Sequence, residues 1–270
     1  MQTTLKYPIL MVHGMGFRDY KHFCYWGRIP DMLIEMGCKV YFGHQDCNAD
    51  IETNGHVIAE RIDRILQETG AEKINIIAHS KGGLDTRYAI SALGRGDKVA
   101  SLTTISTPHN GSRTMDVIFK IPNFLIKIGC FLADIWFKIL GDNKPDTYSA
   151  IHSLRTNEAE RFNERIKNDE RVYYQSYAFV MKKPTSDFLF MISNLIVKHI
   201  EGENDGLLTP EAVKWGDFKG VYRGVGTRGI SHSDEVDMYR RPLSRKSGDG
   251  VSDILNLYRD IVKGLSERGL

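Results

Sequence analysis

The 270 residues are 41% apolar and 26% charged, with 25 Gly and 8 Pro, an ordinary globular composition that excludes disordered, collagenous and low-complexity organisation. Lys and Arg total 36 against 34 Asp and Glu, and a net charge of +2 gives no electrostatic footing for nucleic-acid binding. Cys24, Cys38, Cys47 and Cys130 are irregularly spaced with no C-x-x-C pair, which argues against a zinc ribbon, a thioredoxin-like motif or a disulfide-dense scaffold and leaves a single bridge open.

Met1–Lys6 is polar, and the apolar run Tyr7–Val12 is too short for a signal-peptide core. The expectation is a cytoplasmic chain, or a secreted one whose leader has been removed. No stretch reaches the roughly 18 uncharged apolar residues that a membrane span needs. The greasiest region, Val117–Leu140, is interrupted by Lys120, Lys127, Asp134 and Lys138.

In chain order the pattern predicts a strand at Pro8–Val12, a helix at Gly27–Met36, a strand at Cys38–Phe42 and a helix at Thr53–Glu68 ended by Gly70. A strand at Lys73–Ala78, a helix at Gly82–Ala92 and a strand at Val99–Ser106 follow. The alternation then breaks: an apolar helical stretch follows Gly111, then a polar helix at Asn157–Lys167, a strand at Val172–Val180 and a second apolar stretch at Phe188–Ile200. It resumes weakly with a strand at Gly220–Val225 and a closing helix at Ser252–Gly264. Short apolar runs alternating with longer periodic ones predict an α/β fold, a mostly parallel sheet with helices on both faces. Residues 1–270 form a single domain in this reading, with 113–200 containing an inserted apolar cap or lid.

The strongest chemical signal is the strand Lys73–Ala78 running into His79-Ser80-Lys81-Gly82-Gly83 and directly into a helix. That is the context of a nucleophile elbow, where a tight strand-to-helix turn holds the serine in strained backbone geometry and admits only small neighbours. Ala78 stands where the usual pattern has glycine, a small-for-small exchange. Ser80 also meets the N-terminus of a helix, where N–H groups favour a developing negative charge; the bland reading is a simple N-cap serine. At the end of the first strand, His13-Gly14-Met15-Gly16 forms a turn that lets backbone approach a substrate. The backbone N–H groups of Met15 and Lys81 are the candidate oxyanion donors.

A serine hydroxyl needs a base, and the base needs an orienting carboxylate. Of the histidines after Ser80, only His232 follows the last predicted strand by a short loop and leaves acids upstream. The preferred acid is Asp205 in Asn204-Asp205-Gly206. The order serine, acid, histidine is that of α/β-hydrolases. Against this stand a solvated Asn-Asp-Gly turn and a surface loop histidine.

Tyr7-Pro8-Ile9, His13-Gly14-Met15-Gly16-Phe17, Tyr25-Trp26-Gly27, Ala78-His79-Ser80-Lys81-Gly82-Gly83, Thr107-Pro108-His109-Asn110-Gly111-Ser112, Asn204-Asp205-Gly206-Leu207 and His232-Ser233-Asp234-Glu235-Val236 lie in order along the chain. Together these blocks resemble bacterial triacylglycerol lipases, above all the Pseudomonas and Burkholderia type, with features of the Bacillus and Staphylococcus lipases. The resemblance implies an α/β-hydrolase fold acting on esters of long-chain acyl groups, with Ser80 as nucleophile, Asp205 as acid, His232 as base, and Met15 and Lys81 as oxyanion donors. It also implies a structural calcium with Asp234 as a ligand. Met238 falls where that pattern has an amide, however, and the upstream ligands find no clear match around Lys183–Asp187. A surface salt bridge or a helix-start carboxylate is the competing role for Asp234.

On a helical wheel of Asn123–Lys138, the residues Asn123, Lys127, Asp134 and Lys138 fall within about 60° of arc. Phe124, Ile128, Phe131, Leu132 and Trp136 belong to the apolar remainder. Two readings stand: a lid that opens at a lipid surface, or a permanently buried cap helix. The whole predicts a serine carboxylic-ester hydrolase of lipase type, with a lipid or ester substrate met at a lipid–water interface and no cofactor needed for the chemistry. The alternatives are a short-chain carboxylesterase or acyltransferase with a fixed cap, and a non-catalytic lipid-binding protein. Nothing in the sequence sets an oligomeric state.

Overall fold

A computed structural model describes residues 5–18, 24–246 and 248–270; the polar opening at Met1–Thr4 lies outside the described residues. In chain order the elements are β1 (Ile9–Val12), α1 (Ile29–Glu35), β2 (Val40–Phe42), α2 (Ile51–Thr69), β3 (Ile74–His79), α3 (Gly82–Arg87) and β4 (Val99–Ile105). The second half contains α4 (Arg113–Ile118), α5 (Asn123–Ile139), α6 (Thr147–His152), α7 (Thr156–Arg165), β5 (Tyr173–Val180), α8 (Met191–Ile200), α9 (Pro210–Val213), β6 (Asp217–Arg223) and α10 (Ile254–Glu267).

The six strands form one sheet in the order β2-β1-β3-β4-β5-β6, and every neighbouring pair is parallel. Alternation along β1 shows how the sheet is covered. Ile9 and Met11 face a core shared with α1 and α10, through Leu33, Leu257, Tyr258 and Ile261. Leu10 and Val12 face the opposite core, against Ile58, Ile62 and Ile65 of α2. Every residue of β3 and β4 is buried, as in parallel strands covered on both faces. The amphipathic helices start on built caps: Asp50 accepts from Thr53 N at 2.8 Å ahead of α2, and Asp253 from Leu255 N at 3.1 Å ahead of α10.

The predicted elements are present with shifted ends. The helix expected at Gly27–Met36 begins at Ile29, because Gly27 sits at φ +53° and Pro30 occupies the first turn. The helix expected at Gly82–Ala92 divides into α3 and a wider π turn, Tyr88–Ala92. Strand β6 starts three residues before Gly220, which adopts φ +104° inside it. The interval 113–200 holds cap helices, but not as one block: the sheet strand β5 divides it, leaving α4–α7 on one side and α8 on the other. Cys38, Cys47 and Cys130 form no disulfide. No helix among the described residues is long and apolar enough to cross a membrane.

Several of the ionisable side chains sealed in the body of the fold carry shifts that bear on its stability near neutral pH. Burial lowers His13 to about 4 and holds His79 and His109 well below their ordinary 6.5. Burial pushes Asp85 up to about 6 and Glu235 well above its ordinary value. As pH falls below 6.5 the unfolded chain protonates three imidazoles that the folded protein keeps neutral, so stability falls; the two carboxyls, protonated only in the folded state, oppose this. With three such imidazoles against two such carboxyls, the imidazoles set the direction and stability falls as pH falls through this range. Thermal unfolding followed between pH 6.5 and 5 should show Tm decreasing; a rising Tm contradicts this assignment.

Candidate active site

Ser80 stands between β3 and α3 at φ +53°, in the left-handed region that a non-glycine residue enters at a cost of about 1–3 kcal/mol. The turn is compressed on three sides. A Cβ on Gly82 would strike the carbonyl oxygen of His13, one on Gly83 would strike the Thr107 side chain, and one on Gly14 would come within 2.7 Å of Ser80 Cβ. The ends of β1, β3 and β4 thus meet at the serine. Ser80 N donates to the Ile105 carbonyl at 2.9 Å, and the Thr107 hydroxyl donates to the Ser80 carbonyl at 2.7 Å, fixing the strained turn.

Asp205 and His232 come from the turns that follow α8 and β6. His232 Nδ1 donates to Asp205 Oδ2 at 2.8 Å, and the His232 amide donates to the Asp205 carbonyl, also at 2.8 Å. The other oxygen of Asp205 accepts from the amides of Leu207 and Leu208, each at 2.8 Å. Burial pushes the Asp205 carboxyl up, but His232 and these amides together outweigh it and hold the group below its ordinary value. It is therefore charged, and the only tautomer it allows leaves His232 Nε2 as the basic nitrogen. The His232 ring lies 4.3 Å from that of His79, the residue before Ser80, and both His232 and Ser80 line one cavity. Among the described residues no hydrogen bond joins Ser80 Oγ to His232; such bonds commonly tighten only when substrate enters.

Sequence reasoning missed a second carboxyl here. Glu235 is fully buried, its Oε2 3.1 Å from His79 Nε2 and 3.8 Å from His232 Nδ1. Burial first, then the Asp205 carboxylate, hold it protonated. His79 in turn contacts the Tyr25 hydroxyl at 2.6 Å, and that hydroxyl accepts from Gly14 N at 3.1 Å. A neutral imidazole has one N–H, so His79 donates to one of these partners and accepts from the other. A polar thread thus links the turn after β1 to the His232–Asp205 pair. His79 and Glu235 with His232 are the group of described residues whose ligand atoms lie close enough to hold a metal ion, but here all three are committed to this protein network.

Met15 and Lys81, expected to offer backbone N–H groups to an oxyanion, follow the ends of β1 and β3. Gly14 N is taken by Tyr25 and Gly16 N by Asn48 Oδ1 at 3.1 Å; between them, Met15 N has no protein acceptor among the described residues. Nor does Lys81 N, which opens the first turn of α3. The Lys81 side chain, invisible to the motif, is buried and donates to Asp85 Oδ1 at 2.6 Å.

The shared cavity measures about 560 Å³, and its walls are overwhelmingly apolar. Met115, Ile118, Phe137, Ile151, Leu189 and Val197 supply much of them. The residues expected on the lid do not line this cavity. Phe124, Ile128, Phe131, Leu132 and Trp136 all point outward, Phe131 with 64% of its surface exposed and Trp136 with 59%. From α5 only Ala133 and Phe137 reach the cavity. The cause lies in the polar arc, which is engaged at the flank: Asp134 caps Thr147 N at 2.8 Å, Lys127 sits 5.2 Å over the Tyr148 ring and Lys138 donates to the Asn143 carbonyl. With its polar side turned to α6, the helix presents its apolar side outward, so it is not a buried cap helix. Helix α8 does the same with Ile192 and Leu195, next to Phe188 at 82% exposed. Asp234 opens a short 3-10 turn and is itself buried, and its ion pair is with the partly exposed Arg228.

The sequence model of the palmitoyl protein thioesterase family matches residues 8–239, most of the chain. A triacylglycerol lipase of Vibrio cholerae is 37% identical over 117 residues, which cover 43% of this chain and 37% of that lipase. Triacylglycerol lipase 2 of Saccharomyces cerevisiae is 26% identical over 258 residues, 91% of this chain and 74% of that one. The match to the bacterial relative thus spans little more than a third of its length. The crystal structure of Staphylococcus hyicus lipase shares the fold, with a TM-score of 0.69 at 17% identity and coverage of 97% and 96% of the two chains. These likenesses agree with the resemblance to bacterial lipases that the motifs carry, and the family model adds a name that the motifs did not supply. The chain has the α/β-hydrolase fold and belongs to the palmitoyl protein thioesterase family.

Proposed function

We propose that this protein is a serine acyl hydrolase that cleaves esters of a long acyl chain through an acyl-enzyme on Ser80. The observation that carries the reading is the charged, fully hydrogen-bonded Asp205 holding His232 beside a strained serine in an apolar cavity. In the mechanism, His232 Nε2 takes the Ser80 proton as Oγ attacks the carbonyl carbon. Asp205 stabilises the imidazolium, and the N–H groups of Met15 and Lys81 receive the oxyanion. His232 then returns the proton to the leaving alcohol, and water attacks the acyl-enzyme by the same route. The cavity suits one acyl chain lying along α4 and α8. Triacylglycerol lipases among the relatives favour an oxygen ester; the family model favours a thioester, whose cleavage needs the same serine and oxyanion donors.

The outward apolar faces of α5 and α8 supply the place of action. A patch of this extent is far beyond scattered surface leucines, and the same two helices form the lips of the cavity. Docking on a lipid surface buries both faces and opens the cavity toward acyl chains, which favours the lid reading over a fixed cap. No cofactor takes part in this chemistry.

Ser80→Ala should reduce kcat on a palmitoyl ester by about a millionfold, as expected when the three groups act as a unit; near-normal turnover by the purified variant would end the proposal. Replacing Phe131 and Trp136 together by Asp should reduce hydrolysis of aggregated long-chain ester about tenfold or more while leaving a soluble short-chain ester unaffected. Equal loss on both substrates would argue against surface docking. Glu235→Gln keeps an uncharged group of the same shape and should retain kcat within about tenfold, or 1.4 kcal/mol of barrier. A loss matching that of His232→Ala would show that a charged carboxylate is required there.

A further inference from the structure

The calcium implied by the lipase resemblance does not fit the residues beside the base. Asp187 and Asp234 do converge there, both sealed from solvent, on either side of Ser231. The Ser231 hydroxyl lies 2.6 Å from Asp187 Oδ2 and 2.8 Å from Asp234 Oδ2. Protein hydrogens occupy both oxygens of Asp187 and Oδ2 of Asp234. Asp187 Oδ1 accepts from the Tyr239 hydroxyl at 2.7 Å and from Leu189 N at 3.0 Å; Asp234 Oδ2 accepts from Ser231 N at 3.0 Å. Calcium takes six to eight oxygens at about 2.3–2.6 Å, and no such shell is offered. Met238, at the position of the expected amide, lines the cavity instead.

A hydroxyl has a single hydrogen, so Ser231 satisfies one of the two carboxylates at a time. A carboxylate buried beside a second carboxyl is favoured in its charged form by a cation at contact distance. Arg228 occupies that place. Its Nη1 lies 2.8 Å from Asp234 Oδ2, and its Nε donates to the Ser186 carbonyl at 3.1 Å. Its own carbonyl accepts from Lys182 N at 3.1 Å and from the Ser186 hydroxyl. On the far side of the same turn, Arg28 grips Asp237 through Nε and Nη2, each at 2.7 Å. Asp234 and Asp237, the two carboxylates held, both follow His232 closely in the sequence.

We infer that Arg228 is a built-in cation standing where the resemblance places calcium: a positioning residue that ties the Asp187–Ser231–Asp234 cluster to the turn presenting His232. The positioning of a catalytic base rests on the function proposed above, whereas the stability and metal-binding consequences do not. The test compares the full-length protein with Arg228→Gly and Arg228→Lys. Its readouts are Tm, calcium titration calorimetry, and kcat and KM on a soluble short-chain ester.

The unaltered protein should show the same Tm and kcat with EDTA as with millimolar CaCl2, and no calcium-binding heat. Arg228→Gly should lower Tm and cost about tenfold or more in kcat with KM little changed, as losses of groups that orient a site do. Calcium, but not magnesium, should then bind this variant and restore both Tm and kcat, because magnesium demands a tighter octahedral shell. Arg228→Lys should retain most of the Tm without added metal. Calcium binding by the unaltered protein, a fall in its Tm on adding EDTA, or an Arg228→Gly variant with unchanged Tm would overturn the inference. If Arg228→Gly does not fold, the EDTA arm and Arg228→Lys decide it. If no form turns over ester, Tm and calorimetry still do.

Discussion

The compression of three strand ends around Ser80 is the constraint on which the rest of the site depends. Gly82 against the His13 carbonyl and Gly14 against Ser80 Cβ leave no room for a side chain at either position. Because the turn after β1 is pressed onto the elbow, the backbone of Gly14 lies directly against the serine. The strain at Ser80, about 1–3 kcal/mol, is borne by a turn bonded to β4 and by strands buried on both faces. A larger residue at either glycine would push the turn after β1 away from the elbow.

Burial decides which groups near the serine carry charge. Asp205 keeps its charge because two amides and the imidazole surround it, whereas Glu235, only a few ångströms away, has no comparable set of donors and stays neutral. Two adjacent buried carboxylates would otherwise disfavour one another and alter the base. The same economy appears at the turn carrying His232, where Asp234 and Asp237 are each matched by an arginine. The cap follows the opposite rule. Its polar groups are consumed within the protein and its apolar faces are left outside, an arrangement that is costly in water and favourable against lipid.

Local features were legible in the sequence. The elbow was, because strand, turn and helix lie within a dozen residues and the demand for small side chains is written at Gly82 and Gly83. Asp205 and His232 could be proposed from chain order, since the fold fixes which loops face the serine. Glu235 could not, because nothing local distinguishes it from the acidic residues around it; its role arises from contact with His79, 156 positions away. Arg228 was silent for the same reason. The apolar character of α5 was plain from its periodicity, but its orientation was not. Which side faces inward depends on Thr147, Tyr148 and Asn143 engaging the polar arc, and these partners lie in other elements. Strand β5, likewise, reads as a strand in sequence, yet only its pairing between β4 and β6 shows that it divides the cap in two.

The central claim, that Ser80 is activated by His232 and Asp205, is tested most directly by mass spectrometry after treatment with an alkyl fluorophosphonate, since only an activated serine reacts at a useful rate. The account predicts one adduct per chain, located on Ser80, with labelling greatly slowed in His232→Ala. An unlabelled Ser80 in folded protein, or labelling equally fast without His232, would contradict it.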